Sequence, residues 1–128
     1  MSQGQPRRRP EQGEPIKYGD VFDVSGELAA QPVAPRDAAL LQSAEQAVLG
    51  QTLKGGPAAA AQSAAAINAR AGHVGKGQIA GPAADAGVTV TEAELPGGGG
   101  RVVTEAVGEQ VVGKLVAPAA DPPSGALH

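Results

Sequence analysis

The chain has no cysteine and no tryptophan, and it holds one phenylalanine and one tyrosine among 128 residues. Without cysteine, neither a disulfide nor a cysteine-based metal site can stabilise the fold. Aromatic side chains supply much of the buried area of an ordinary core, so their scarcity predicts a small core. A chain of this length has room for one ordinary domain.

Strong charge and long apolar runs are also missing. The formal net charge of −3 gives no general attraction to nucleic acid. No apolar run approaches the roughly 20 residues that span a membrane, and the polar N-terminus lacks the apolar segment of a secretory signal. We therefore expect no transmembrane segment and no specific nucleic-acid partner. The absence of cysteine suits a cytosolic or nuclear setting.

Alanine, glycine and proline dominate the composition instead. Hydrophobic residues make up 41% of the chain, but 26 residues are alanine, and there are 19 glycines and 11 prolines. Alanine forms helices readily and buries little area. Glycine raises the entropy of the unfolded chain, which this composition has little burial to offset. The composition predicts a largely disordered or conditionally folded protein.

Two alanine-rich helices are predicted, over about 37–53 and 57–71. Pro35 and Asp37 suit a helix start, Gly55-Gly56 suits a stop, and Pro57 can open the second helix. The first helix carries an apolar stripe at helical spacing: Leu40, Leu41, Ala44, Ala47 and Val48. The same tripeptide occurs at similar positions of the two helices, as Gln42-Ser43-Ala44 and as Gln62-Ser63-Ala64. This recurrence suggests a repeated unit.

The segments before this pair differ from each other. Residues 1–14 read as a disordered tail whose basic cluster, Arg7, Arg8 and Arg9, is a candidate nuclear-import address or a solvated charge run. Residues 16–34 hold the largest apolar cluster, which includes Tyr18 and Phe22. This cluster predicts a small cap packed over the helices, and a short linear motif bound by a partner is the alternative.

The segments after the pair predict weak extended structure. Residues 73–87 are rich in glycine. Two extended segments are predicted near 88–92 and 101–116, as a weak β-hairpin in which Gly108 and Gly113 disfavour the second strand. Residues 117–128 read as a disordered tail. Together with the helices, this is α+β-like at most.

No catalytic, cofactor-binding or metal-binding residues are predicted. Gly75-Lys76-Gly77 fails the phosphate-loop pattern, because Gly77 stands where a hydroxyl residue belongs. His73 and His128 are isolated, which makes a poor metal site. Ser25, Ser43 and Ser63 have no evident histidine partner. We expect a protein that is not an enzyme.

Four stretches carry a resemblance to a known family. They are P-I-K-Y-G-D-V-F-D-V-S-G-E-L-A (15–29), P-V-A-P-R-D-A-A-L-L-Q-S-A-E (32–45), V-L-G-Q-T-L-K-G-G-P-A-A-A-A-Q-S-A-A (48–65) and G-V-T-V-T-E (87–92). They closely resemble plant seed maturation proteins, the late embryogenesis abundant proteins with the SMP domain. The resemblance assigns one clear SMP unit to 15–72, and the Gly-rich segment with the hairpin follows it over 73–116. It implies a non-enzymatic protein that accumulates as seeds dry, located in the cytoplasm and the nucleus.

Two mechanisms from different classes follow. The first is a protectant that gains helix on water loss and shields non-specific client proteins or membranes during drying. The second is a small helical binding module that places the amphipathic face of 37–53 in a partner's groove. Helicity gained only on dehydration would favour the protectant, and partner-dependent changes in dilute solution would favour the module.

Overall fold

The computed structural model of the chain describes residues 13–117. Within them lie the helices α1 (Tyr18–Val21), α2 (Gly26–Ala29), α3 (Pro35–Leu49), α4 (Pro57–Arg70) and α5 (Gly81–Ala86), and the strands β1 (Val88–Glu94), β2 (Arg101–Val107) and β3 (Gln110–Ala117). A short 3-10 turn, Pro96–Gly98, joins β1 to β2. Helices followed by strands make an α+β arrangement, as predicted.

The predicted helical pair is confirmed, with one wrong boundary. The second helix spans Pro57–Arg70, within a residue of the predicted range. The first helix ends at Leu49 and does not reach residue 53. Gly50 ends it by adopting a left-handed conformation (φ 80°) while its N–H donates to the Gln46 carbonyl at 2.9 Å. Glycine takes this conformation without steric cost. The first helix therefore ends at Gly50 and not at Gly55-Gly56, where the end was predicted.

The sheet has three antiparallel strands in the order β1-β2-β3. The prediction of one extended segment over 101–116 was wrong, since this segment folds back on itself as β2 and β3. The turn lies at Gly108 and Glu109, which have φ values of 58° and 74°. Positive φ at both central residues is the geometry of the tight turns that suit twisted hairpins. Gly108 therefore forms the turn and does not interrupt a strand.

Gly113 has a different role, at the contact between the sheet and the helices. A Cβ atom built on Gly113 would collide with the ring of Pro57, the first residue of α4. Glycine in a strand often marks a place where another backbone approaches closely. The absence of a side chain at Gly113 lets β3 pass directly over the start of α4.

The core lies between the helices and one face of the sheet, and it is made largely of alanine. On β2 the inward residues Val103, Glu105 and Val107 are buried. Seven of the twelve buried residues in the core cluster are alanines. The cluster consists of Tyr18, Leu28, Val33, Ala38, Leu41, Ala58, Ala61, Ala64, Ala65, Ala80, Ala83 and Val107.

The predicted cap over the helices is confirmed. Tyr18 is completely buried, and Phe22 is partly buried with its ring centre 5.8 Å from that of Tyr18. The backbone of this segment is held by a bridge between Lys17 and Pro32. The aromatic residues therefore supply the core with bulk that the alanines lack.

Candidate functional site

Four polar or charged side chains are fully buried in the part of the chain that the structure describes: Asp37, Glu45, Asn68 and Glu105. A buried polar group costs free energy unless it is hydrogen-bonded. Three of the four bind backbone groups from segments distant in sequence. We call Asp37, Glu45 and Asn68 the polar ties of the fold.

Asp37 joins the first turn of α3 to α1 and to the start of α5. Its Oδ1 accepts the N–H of Ala80 at 2.9 Å, and its Oδ2 accepts the hydroxyl of Tyr18 at 2.8 Å and the N–H of Ala34 at 3.4 Å. Burial raises the pKa of Asp37, and these donors act in the opposite direction. Burial, together with the nearby Asp37 carboxylate, also raises the pKa of Tyr18. The Tyr18 hydroxyl therefore stays protonated and donates a hydrogen bond to Asp37.

Asn68 holds the beginning of the described chain against α4. Its Oδ1 accepts the N–H of Ile16 at 2.7 Å, and its Nδ2 donates to the carbonyls of Ile16 and Val33, each at 2.9 Å. One side-chain amide thus satisfies three backbone groups, as a neighbouring strand would. Because backbone groups that lack a partner are costly when buried, Asn68 determines where this segment can lie.

Glu45 binds the turn that leads into α4. Its Oε1 accepts the N–H of Leu53 at 2.9 Å, and its Oε2 accepts the N–H of Ala58 at 3.3 Å. Ala58 lies in the first turn of α4, where the backbone N–H groups have no partner inside the helix. The residue before that helix is Gly56, which has no side chain for capping. Glu45 supplies the cap from α3, and its negative charge suits the positive end of α4.

Glu105 of β2 is the fourth buried residue, and it lies beside Glu45. Neither carboxylate oxygen of Glu105 has a hydrogen-bond donor among the described residues. The pKa of Glu105 is raised to about 8. Burial is the largest cause, and the hydrogen bond between Glu105 and Glu45 and the negative charge of Glu45 add to it. The carboxyl group of Glu105 is therefore mostly protonated at neutral pH, which avoids two buried negative charges side by side.

Among the cavities on the surface of the described residues, two are large enough to consider as sites. A shallow groove of about 280 Å³ between α3 and α4 is lined by Pro35, Ala38, Ala39, Gln62, Ala65, Ala66, Ala69 and Lys76. A second cavity, of about 480 Å³, lies at the β1–β2 turn, where Arg101 forms an ion pair with Glu92 at 3.3 Å. Neither lining pairs a nucleophile with a positioned base.

Residues 13–117 contain neither a candidate metal site nor a candidate membrane-spanning helix. No group of three or more His, Cys, Asp or Glu residues is placed to hold a metal ion. Over the same residues, no helix is both long enough and apolar enough to span a bilayer.

The residues that the sequence singled out fall in different places. Arg7, Arg8 and Arg9 lie outside the described residues. On the predicted amphipathic face, Leu41 is completely buried, and Leu40, Ala44 and Val48 are half-buried. Helix α3 packs against both α4 and β1. Much of the face predicted for a partner's groove is thus covered by the chain's own elements, which weighs against the binding module.

The polar ties were missed as a group, although the sequence holds a signal for two of them. Asn68 follows Ala61, Ala64 and Ala65 at helical spacing, and Glu45 follows Leu41 by four residues. A single polar residue at a core position of an apolar stripe indicates a buried polar group with a specific partner. Asp37 was noted only for its place near a helix start. Glu105 lies in a strand whose inward face could not be assigned from the sequence.

Comparison with known proteins identifies the relatives of this chain. A sequence profile of the seed maturation protein family matches residues 16–71. The chain is 55% identical over 122 residues to late embryogenesis abundant protein D-34 of Gossypium hirsutum, a match that covers 91% of the chain and 46% of that protein. It is 53% identical over 118 residues to late embryogenesis abundant protein 31 of Arabidopsis thaliana, covering 92% of the chain and 44% of the relative. The chain thus spans less than half the length of these curated relatives. No solved structure matches it.

Proposed function

We propose that this chain, which belongs to the seed maturation protein family, is a non-enzymatic protectant of cell components during seed desiccation. The proposal rests on one observation, which is that a core with little apolar burial is combined with buried hydrogen bonds between segments of the chain. An alanine-rich core supplies modest apolar burial, and three buried side chains, Asp37, Glu45 and Asn68, tie distant backbone segments by hydrogen bonds.

Water affects these two kinds of interaction in opposite ways. The hydrophobic effect depends on surrounding water and loses its origin as water is removed. A hydrogen bond nets only about 1 kcal/mol in water, because water competes for both partners. Without that competitor, a polar group left unpaired costs several kcal/mol. A fold that relies on polar ties therefore gains relative stability on drying, and we infer that the chain is loosely held when hydrated and becomes more ordered as water is lost.

The proposed clients are other proteins or membranes, bound without a specific pocket. Among the described residues, the large apolar side chains that are strongly exposed are Val111 and Val116 on β3. A surface with so little apolar area favours weak and non-specific contacts. Such a chain would protect by separating aggregation-prone partners as they concentrate.

Drying a desiccation-sensitive enzyme with and without the chain tests this proposal. We expect the chain to preserve more enzyme activity after rehydration than an equal mass of an unrelated globular protein. The Asn68→Ala variant, which removes one tie, should protect less than the Ser63→Ala variant, whose exposed position on the same helix makes it a matched control. Equal protection by the chain and by the unrelated protein at every mass ratio would refute the proposal.

We also propose that the protein acts in the cytoplasm and the nucleus, with Arg7, Arg8 and Arg9 as an import address. The bare chain of 12.6 kDa is small enough to diffuse, so the test needs a large fluorescent tag. Replacing the three arginines with alanine should move the tagged protein out of the nucleus. If the distribution of the tagged protein between nucleus and cytoplasm does not change, the three arginines are not an import address and are simply charged residues in contact with solvent.

A further inference from the structure

The described residues contain a pair of carboxyl groups, Glu45 and Glu105, of which the proposed function uses only Glu45, as a polar tie. Glu45 of α3 and Glu105 of β2 are both completely buried. Glu105 lies opposite Gly113 in the sheet, Gly113 contacts Pro57, and Glu45 binds the N–H of Ala58, so both carboxyl groups lie at the start of α4. Glu45 is committed to two backbone donors, the N–H groups of Leu53 and Ala58. Glu105 has no donor for either oxygen among the described residues. If both groups were ionised, Glu105 would have no hydrogen-bond partner among the described residues. One proton held between the two carboxyl groups supplies the missing hydrogen bond.

The described residues that face the pair from other elements bring no charge to it. Directly opposite Glu105, β1 contributes Val90 and β3 contributes Gly113. Helix α4 contributes the N–H of Ala58, which already binds Glu45. The nearby turn carries Lys54, whose side chain is exposed. Two ionised carboxylates here would be buried without a cation, an arrangement that is strongly unfavourable.

We propose that Glu45 and Glu105 share one proton in the folded chain, so that folding takes up a proton and the fold is stabilised as the medium becomes more acidic. The donor is the protonated Glu105 carboxyl group, and the acceptor is the Glu45 carboxylate that caps α4. The proton comes from solution and returns to solution on unfolding. This inference concerns the hydrated chain and does not depend on the protectant role.

The direction of the effect follows from proton binding. The pKa of Glu105 is raised from 4.5 to about 8 in the folded chain. Between these values the folded state holds a proton that the unfolded state has released, so stability falls as pH rises. The stabilisation is complete below about pH 4.5 and lost as the pH passes 8. Within this window the folding equilibrium constant drops by up to about tenfold per pH unit. Asp37, whose pKa is also raised, contributes in the same direction, so a variant comparison is needed to isolate Glu105.

Urea unfolding from pH 5 to pH 8 tests the proposal in a fixed concentration of trimethylamine N-oxide, an osmolyte that favours the compact state. We expect the urea midpoint of the wild type to fall with pH. In Glu105→Gln the amide donates to Glu45 at every pH, so its midpoint should fall much less. Glu94→Gln, at an exposed position of the same sheet, should follow the wild type. Parallel pH profiles for wild type and Glu105→Gln would overturn the proposal.

An infrared measurement on the wild type keeps the test decisive if Glu105→Gln does not fold. A protonated carboxyl group absorbs apart from carboxylates, and we expect its band to persist at neutral pH in the folded chain. The band should vanish when urea unfolds the chain at the same pH. A folded chain that shows no such band at neutral pH would refute the shared proton. If calcium stabilised the folded chain at pH 8, the shared proton would also be refuted, because the two carboxylates would then bind a cation and not a proton.

Discussion

Asn68 binds Ile16, which lies 52 residues earlier in the chain, through two hydrogen bonds of 2.7 and 2.9 Å. The side-chain amide donates to the carbonyl of Ile16 and accepts its N–H, so that it replaces a neighbouring strand. This contact holds the segment that leads into Tyr18, the largest fully buried side chain. A single amide on α4 therefore positions the aromatic part of an otherwise alanine-rich core.

Asn68→Ala should destabilise the hydrated chain by about 3 kcal/mol, because the variant leaves the N–H of Ile16 and the carbonyl of Val33 without their side-chain partner. Urea unfolding followed by circular dichroism measures the loss. Ser63→Ala on the same helix, at an exposed position, should change stability by less than about 0.5 kcal/mol. Equal effects of the two substitutions would show that Asn68 is not a tie.

The contact between Tyr18 and Asp37 should be visible as a coupling energy. Tyr18→Phe removes the hydroxyl that donates to Asp37 at 2.8 Å and leaves the ring in place. We expect this variant to lose about 1–2 kcal/mol. In a double-mutant cycle with Asp37→Ala, most of that loss should disappear, because the acceptor is already absent. Additive losses would mean that the two side chains do not interact.

Gly113→Ala should destabilise the contact between β3 and α4. The added methyl group would collide with the ring of Pro57, and such overpacking costs about 1–3 kcal/mol. Gly77→Ala is the matched control, since its added methyl group meets open space and its φ is not in the left-handed region. Thermal melts of both variants give the comparison. A Gly113→Ala variant as stable as the control would place β3 away from α4.

Sequence reasoning predicted the elements that depend on local signals. The proline at the start of α4 and the apolar stripe of α3 are signals carried by residues that lie close together in sequence, and both helices were predicted. The end of the first helix was predicted at Gly55-Gly56, and Gly50 was not considered, although a single glycine can also end a helix. The glycines of the second extended segment were interpreted by propensity alone, but Gly108 forms a turn and Gly113 permits a close contact with Pro57.

The polar ties required information that local patterns do not carry. Asn68 binds a backbone group 52 residues away and Asp37 binds one 43 residues away, whereas the partners of Glu45 lie 8 and 13 residues along the chain. Only the packing of α1, α3 and α4 brings these groups together. Spacing could show that Asn68 and Glu45 stand at core positions, but it could not show which backbone groups they satisfy.

We expect polar ties to hold this fold more strongly as water is removed, and apolar burial to hold it less strongly. Leu41→Ala and Asn68→Ala test the two contributions, because both residues are completely buried. In water, we expect Leu41→Ala to cost at least as much stability as Asn68→Ala, at about 3–5 kcal/mol.

The most direct measurement is the infrared amide spectrum of both variants and the wild type as relative humidity is lowered. We expect the defect of Leu41→Ala to shrink on drying and that of Asn68→Ala to grow, so that the order of the two variants reverses. If Leu41→Ala remains the more damaging substitution in the dry state, apolar packing holds the dried fold and the polar ties do not.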